Sequence, residues 1–155
     1  MTDSTHPTGS RLVDNGADFD PGITTPNGGW NAPAEDLARY VAFLTNTVPP
    51  DGTRAHHDTV LKRSSIHEMW QPVVPMTTGY QAATDQHMGL SFLLLRRGTH
   101  QLIGHTGSQA GFRSFLYFNA TTGTAVIVAF NTTSSVNPAT TPYAQLHEAA
   151  LNLLH

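Results

Sequence analysis

The sequence predicts an α+β domain in which an antiparallel β-sheet, laid down as a meander in the C-terminal half, is flanked by helices. Three observations predict it. Four strand-like segments follow one another beyond Gly79, each bounded by Gly, Asn or Ser/Thr clusters. Apolar residues recur at helical spacing on either side of that region, between Leu37 and Leu44 and between Leu146 and Leu154. A length of 155 residues with 39% apolar content supports one hydrophobic core and asks for no second domain.

Residues 1–29 show no sustained apolar periodicity. Pro7, Gly9, Gly16, Pro21, Gly22, Pro26, Gly28 and Gly29 punctuate them, which predicts an extended loop region leaning on other structure. The first regular element is a helix over Pro33–Thr45. Leu37, Tyr40, Val41 and Leu44 share one face, Pro33 suits the first helical position, and Glu35 and Asp36 favour the first turn. Pro49, Pro50 and Gly52 end that region. A short peripheral helix is expected to begin near Ser64 or Ser65 and to carry Ile66, Met69 and Trp70 before Pro72 stops it.

Strands are expected over Met88–Leu95, Gln101–His105, Phe112–Asn119 and Thr124–Asn131. In the third, Phe112, Ser114, Leu116 and Phe118 alternate with Arg113, Phe115, Tyr117 and Asn119. The fourth is apolar without alternation from Ala125 to Phe130, the pattern of a strand covered on both faces. Ala120–Gly123 suits a tight hairpin in which glycine takes a positive φ. Finally Thr141 can cap a helix with Pro142 in its first turn, whose face of Leu146, Ala149, Ala150, Leu153 and Leu154 would lie across the sheet.

Composition narrows the function. The formal charge is −3, with one lysine, Lys62, and seven scattered arginines, so no basic stripe matches a run of phosphates and no nucleic-acid partner is expected. The absence of cysteine removes disulfides, zinc–thiolate sites and thiol nucleophiles, and leaves the compartment open. Met1–Pro21 carries neither a basic segment followed by an apolar one nor a membrane-length run, so no membrane partner is expected. An upstream signal peptide would place the protein in the periplasm or outside the cell; otherwise it would be cytoplasmic. Nine histidines raise the question of a metal. The adjacent His56 and His57 cannot chelate as an i, i+4 pair does, and His67-Glu68 lacks a second histidine four residues on, so no metal and no other cofactor is expected.

The stretch Gly104-His105-Thr106-Gly107-Ser108-Gln109-Ala110-Gly111-Phe112 is the richest in chemistry. A basic residue, a hydroxyl and a glycine end one strand, and a glycine opens the next. Glycine at 107 removes a side chain where another backbone or a substrate passes closely, and the backbone N–H groups just beyond it can point at a developing oxyanion.

These residues resemble the serine β-lactamase and DD-peptidase-like hydrolases, particularly the class C β-lactamase and esterase-like branch, where a Lys-Thr-Gly or His-x-Gly triplet lies on the strand walling the active site. His105-Thr106-Gly107 resembles that triplet and Gly111-Phe112-Arg113-Ser114 the Gly-Phe segment after it. Other matches fall in the family's order: Met1-Thr2-Asp3-Ser4-Thr5 with Gly-Met-x-Asp-Thr, Gly28-Gly29-Trp30 and the helix after it with a Gly-Gly-(Leu/Trp) turn, Met88-Gly89-Leu90-Ser91-Phe92 with Tyr-Gly-Leu-Gly-(Phe/Trp), and Val128–Asn131 with a last strand ending in Asn. The resemblance implies a partial fold, with residues 30–155 forming the C-terminal part of a serine hydrolase domain. It implies acyl transfer on β-lactam, D-amino-acid peptide or ester carbonyls. His105 would act as an electrostatic or hydrogen-bonding partner, Thr106 as a substrate contact, Gly107 as the residue of close approach, and the N–H of Ser108 as an oxyanion donor.

The sequence also departs from the family. Its nucleophile sits in Ser-x-x-Lys, yet no serine here has lysine three residues on; Ser64 and Ser65 have His67 and Glu68 there. The second motif, Tyr-x-Asn or Tyr-x-Ser, is matched only by Tyr117-Phe118-Asn119, which follows the triplet instead of preceding it and is set aside as coincidence. Truncation at an internal methionine would explain both gaps. The chain alone is therefore expected to be inactive, with the nucleophile on a missing N-terminal segment or partner chain and the small-molecule or peptide substrate bound only by the complete enzyme. The alternative is a non-catalytic binding module that uses the remnant cleft or the apolar edge of Thr124–Asn131.

Overall fold

The computed structural model describes residues 20–29, 31–47, 57–76, 86–109, 111–131 and 142–154. A six-stranded antiparallel sheet runs in chain order, β1 (Val74–Pro75), β2 (Gln86–Met88), β3 (Leu93–Arg97), β4 (His100–Gln109), β5 (Phe112–Asn119) and β6 (Thr124–Phe130). Helices α1 (Thr25–Gly28), α2 (Ala34–Thr45), α3 (His57–Val60), α4 (Arg63–Met69) and α5 (Pro142–Asn152) complete the mixed α+β architecture.

Strand alternation gives the sheet two buried faces. On one, Leu94, Ile103 and Phe118 pack with Val41 and Leu44 of α2, with Ile66 of α4, and with Trp70 and Phe92. On the other, Leu95, Leu102, Phe115 and Tyr117 pack with Tyr143, Ala150 and Leu151 of α5 and with Leu154. The result is three layers, with helices flanking the sheet on both faces as expected.

Helix α2 follows from local chemistry. Pro33 stands at its N-cap in extended conformation, Glu35 and Asp36 occupy the first turn, and Asn46 closes it in the left-handed region at φ 58°. The Arg63 guanidinium then donates to the carbonyls of Phe43, at 2.9 Å, and Leu44. Helix α4 begins one residue before the expected serines and is not peripheral, because Ile66 is fully buried and Trp70 meets Phe118 edge-on at 5.5 Å.

The expected strand over Met88–Leu95 is two strands. Gly89–Phe92 turns the chain back, with the Gly89 N–H donating to Phe92 O at 2.8 Å and Ser91 at φ 65°. Any side chain on Gly89 would collide with the Met69 carbonyl, 2.3 Å from an ideal Cβ. The expected Gln101–His105 strand is longer and continues to Gln109, because β5 pairs with it along that whole length. The Phe112–Asn119 strand is as expected, and Gly123 takes the predicted positive φ, at 71°.

The C-terminal helix lies across the sheet as expected, with its buried face rotated from the expected one. Ala150 and Leu154 are buried as expected, Tyr143, Ala144, His147 and Leu151 point inward with them, and Leu146, Ala149 and Leu153 are exposed. A tyrosine and a histidine did not register as apolar in the sequence, yet their rings fill the space above Phe115. Strand β6 is the last strand of the sheet among the described residues; it touches both cores, through Ile127 on one side and Val126, Val128 and Phe130 on the other, but none of its residues is buried, so the expected cover on both faces is only partial. In the N-terminal region, Gly22–Gly28 forms helical turns and is not extended; residues 1–19 lie outside the described residues, as does the proposed cap Thr141.

A candidate active-site strand

Strand β4 is the longest of the sheet, and its two halves have different neighbours. From His100 to Gly104 it pairs with β3, ending at the Leu93–Gly104 match, and from Leu102 to Gln109 it pairs with β5. The β2–β3 turn at Gly89–Phe92 takes the chain away at that point, and the Leu90 N–H is pinned to Met69 O at 3.0 Å. Among the described residues, His105–Gln109 therefore pairs on one side only. A strand edge of this kind offers backbone donors and acceptors to an extended ligand.

All four predicted residues fall on this half. His105 and Ser108 are exposed, Thr106 and Gly107 half-buried. His105 Nδ1 lies 2.6 Å from the Thr106 carbonyl oxygen. A carbonyl only accepts, so Nδ1 is the donor in this contact, and in the neutral ring Nε2 is then the acceptor. Alternation divides the four: His105 and Gly107 share the α2 side with Ile103, while Thr106 and Ser108 share the α5 side with Leu102.

The structure adds neighbours that sequence reasoning did not assign to the site. Ser114 pairs with Gly107, and an ideal Cβ on Gly107 would stand 2.6 Å from Ser114 Oγ, so this hydroxyl fills the place a side chain at 107 would take. Arg113 pairs with Ser108, and its guanidinium lies over the Tyr143 ring, 5.1 Å from the centroid. Gln109 brings in α1, because a Cβ on Gly28 would stand 3.1 Å from its side-chain oxygen. The first two pairings follow from the short β4–β5 connection at Ala110-Gly111, where Gly111 adopts φ 86°. That glycine was the available signal.

Tyr117 and Asn119, set aside in the sequence, have structural roles. Both are buried, and Asn119 Nδ2 donates to Leu154 O at 2.9 Å while its Oδ1 accepts from the N–H groups of Thr121 and Thr122. Among the described residues no group of three or more His, Asp or Glu side chains is placed to hold a metal ion.

Comparison with known proteins agrees with this architecture. The chain is similar in fold to the octameric penicillin-binding protein homologue from Pyrococcus abyssi, with a TM-score of 0.55 and 18% identity over 79% of this chain. The chain spans 24% of that protein's length. No curated protein sequence matches it. The profile of the beta-lactamase family matches residues 2–151, nearly the whole length, and on that match the chain belongs to the beta-lactamase family.

Proposed function

We propose that this chain supplies one wall of a carbonyl-attacking cleft, the C-terminal part of a β-lactamase-related serine hydrolase, and that the nucleophile comes from residues outside it. The observation that carries this reading is the half of β4 from His105 to Gln109, exposed at His105 and Ser108 and paired on one side only among the described residues. In the proposed reaction a serine attacks a β-lactam, D-amino-acid peptide or ester carbonyl, and a tetrahedral oxyanion forms. The N–H of Ser108 would stabilise that oxyanion, a contribution of roughly a hundredfold or more in turnover. His105, with Nδ1 committed to Thr106 O, would offer Nε2 to substrate or to the proton network. Thr106 would contact substrate, and Gly107 would let it approach closely.

The sequence contains no Ser-x-x-Lys, so the segment or partner chain that completes the cleft would have to bring both serine and lysine. Without the nucleophile nearly all the chemical acceleration is lost. The test is to expose the chain to a chromogenic β-lactam, a fluorogenic ester and a serine-reactive fluorophosphonate. Neither turnover nor covalent labelling is expected, and either result would overturn the reading. A second reading, a non-catalytic binding module, draws on β6 as the last strand of the sheet. Binding of an extended peptide that protects β6 amides, and not those of His105–Gln109, would favour it.

A further inference from the structure

His147 sits where the α5 core is tightest. It is 1% exposed, with its ring edge-on to Phe115 at 4.9 Å and to Tyr117 at 5.4 Å and stacked on Tyr143 at 6.0 Å. Two of those rings belong to β5 and one to α5, so the imidazole is part of the joint between helix and sheet. Among the described residues, the ionisable groups on this side of the sheet are Arg97 from β3, His100 from β4, Arg113 and the Tyr117 phenol from β5, and Tyr143 and Glu148 from α5 itself; β6 contributes none. Arg97 and Glu148 already pair with each other, at 2.7 Å. The two cores lie on opposite faces of the sheet, and α2 and α4 touch only the other one.

We propose that His147 is an acid-sensitive latch, whose protonation loosens α5 from the sheet while α2 and α4 stay docked on the opposite face. Burial holds the His147 pKa below its usual value; the Glu148 charge opposes this and that of Arg97 adds to it. With its folded pKa depressed, the histidine binds fewer protons folded than unfolded. Its contribution to stability is complete above the unfolded pKa of about 6.5 and is lost as pH falls from there towards the folded value. The unfolded pKa sets a ceiling on the effect: between about pH 7.5 and about pH 5.5 the opening equilibrium of α5 rises by at most about tenfold. Opening would bare Phe115, Tyr117 and Leu102, the apolar surface that α5 covers.

Amide hydrogen exchange of the full chain, corrected for the intrinsic pH dependence of exchange, tests this. Opening of Pro142–Asn152 is expected to rise several-fold on acidification while Ala34–Thr45 holds. His147→Phe, which keeps a ring in the joint, is expected to remove that rise. An α5 that does not respond to pH, an equal response in α2, or a response that survives in the phenylalanine variant would each overturn the proposal. If that variant does not fold, the imidazole resonance of His147 in the natural chain decides. Titration together with α5 opening supports the latch, and opening without titration overturns it.

Discussion

Ser114 and Gly107 face each other across β4 and β5, and the serine hydroxyl lies 2.6 Å from the point where a Cβ on Gly107 would be. Three residues earlier on β4, Gly104 has a harder neighbour. A Cβ there would stand 2.0 Å from the Leu116 carbonyl oxygen and 2.5 Å from Cδ1 of Tyr117. The two glycines of one strand are thus required to different degrees, because a hydroxyl can rotate between rotamers and a paired backbone carbonyl cannot move without opening the ladder.

Gly107→Ala is therefore expected to cost less than about 1 kcal/mol, since the Ser114 side chain turns aside and the substitution also stiffens the unfolded chain. Gly104→Ala is expected to cost about 3 kcal/mol or more by overpacking. Urea unfolding of the two variants measures the difference. Equal losses would show that Gly107 is held by something firmer than Ser114.

Asn119 ties the end of β5 to Leu154, two residues past α5. Asn119→Ala is expected to cost about 1–3 kcal/mol, because the Leu154 carbonyl loses its donor in a buried setting. Asn119→Asp is expected to do no better at neutral pH, since a carboxylate keeps the acceptor for Thr121 and Thr122 but cannot donate and buries a charge. Thermal unfolding of both variants at neutral pH checks the ranking.

Arg63 closes the C-terminal end of α2 from another helix. Arg63→Ala is expected to cost about 1–2 kcal/mol by releasing the Phe43 and Leu44 carbonyls from a cation. Arg63→Lys should recover only part of that, because an ammonium group lacks the planar fork that reaches two carbonyls. The midpoint of urea unfolding followed by circular dichroism measures both.

The Arg97 guanidinium donates to both carboxylate oxygens of Glu148, at 2.8 and 2.7 Å, and joins β3 to α5. The two side chains are 20% and 32% exposed, which places the pair nearer to a surface bridge than a buried one. A double-mutant cycle is expected to give a coupling of about 0.5–1 kcal/mol. Raising the salt to about 0.5 M should shrink it. A coupling that salt leaves unchanged would mean that packing of the side-chain stems, and not charge, joins them.

The sequence by itself determined the elements whose signal is local. Helix α2 could be read from Leu37, Val41 and Leu44 between Pro33 and Pro49, β5 from its alternation, and the β5–β6 turn from Gly123. The His105-Thr106-Gly107 triplet could be read too, since its residue types and order carry the resemblance. Tertiary structure alone decided what those elements meet. It broke the Met88–Leu95 run at Gly89, where Met69 leaves no room for a side chain, and drew β4 out to Gln109 because β5 was there to pair with it. It also chose the Tyr143 and His147 face of α5 over the Leu146 and Leu153 face, and placed Ser114, Arg113 and, through Gln109, helix α1 beside the candidate strand. Spacing along a chain fixes which residues share a face. Which face is buried, and which strand edge stays open, depends on the surface opposite, and here that surface is built from residues distant in sequence.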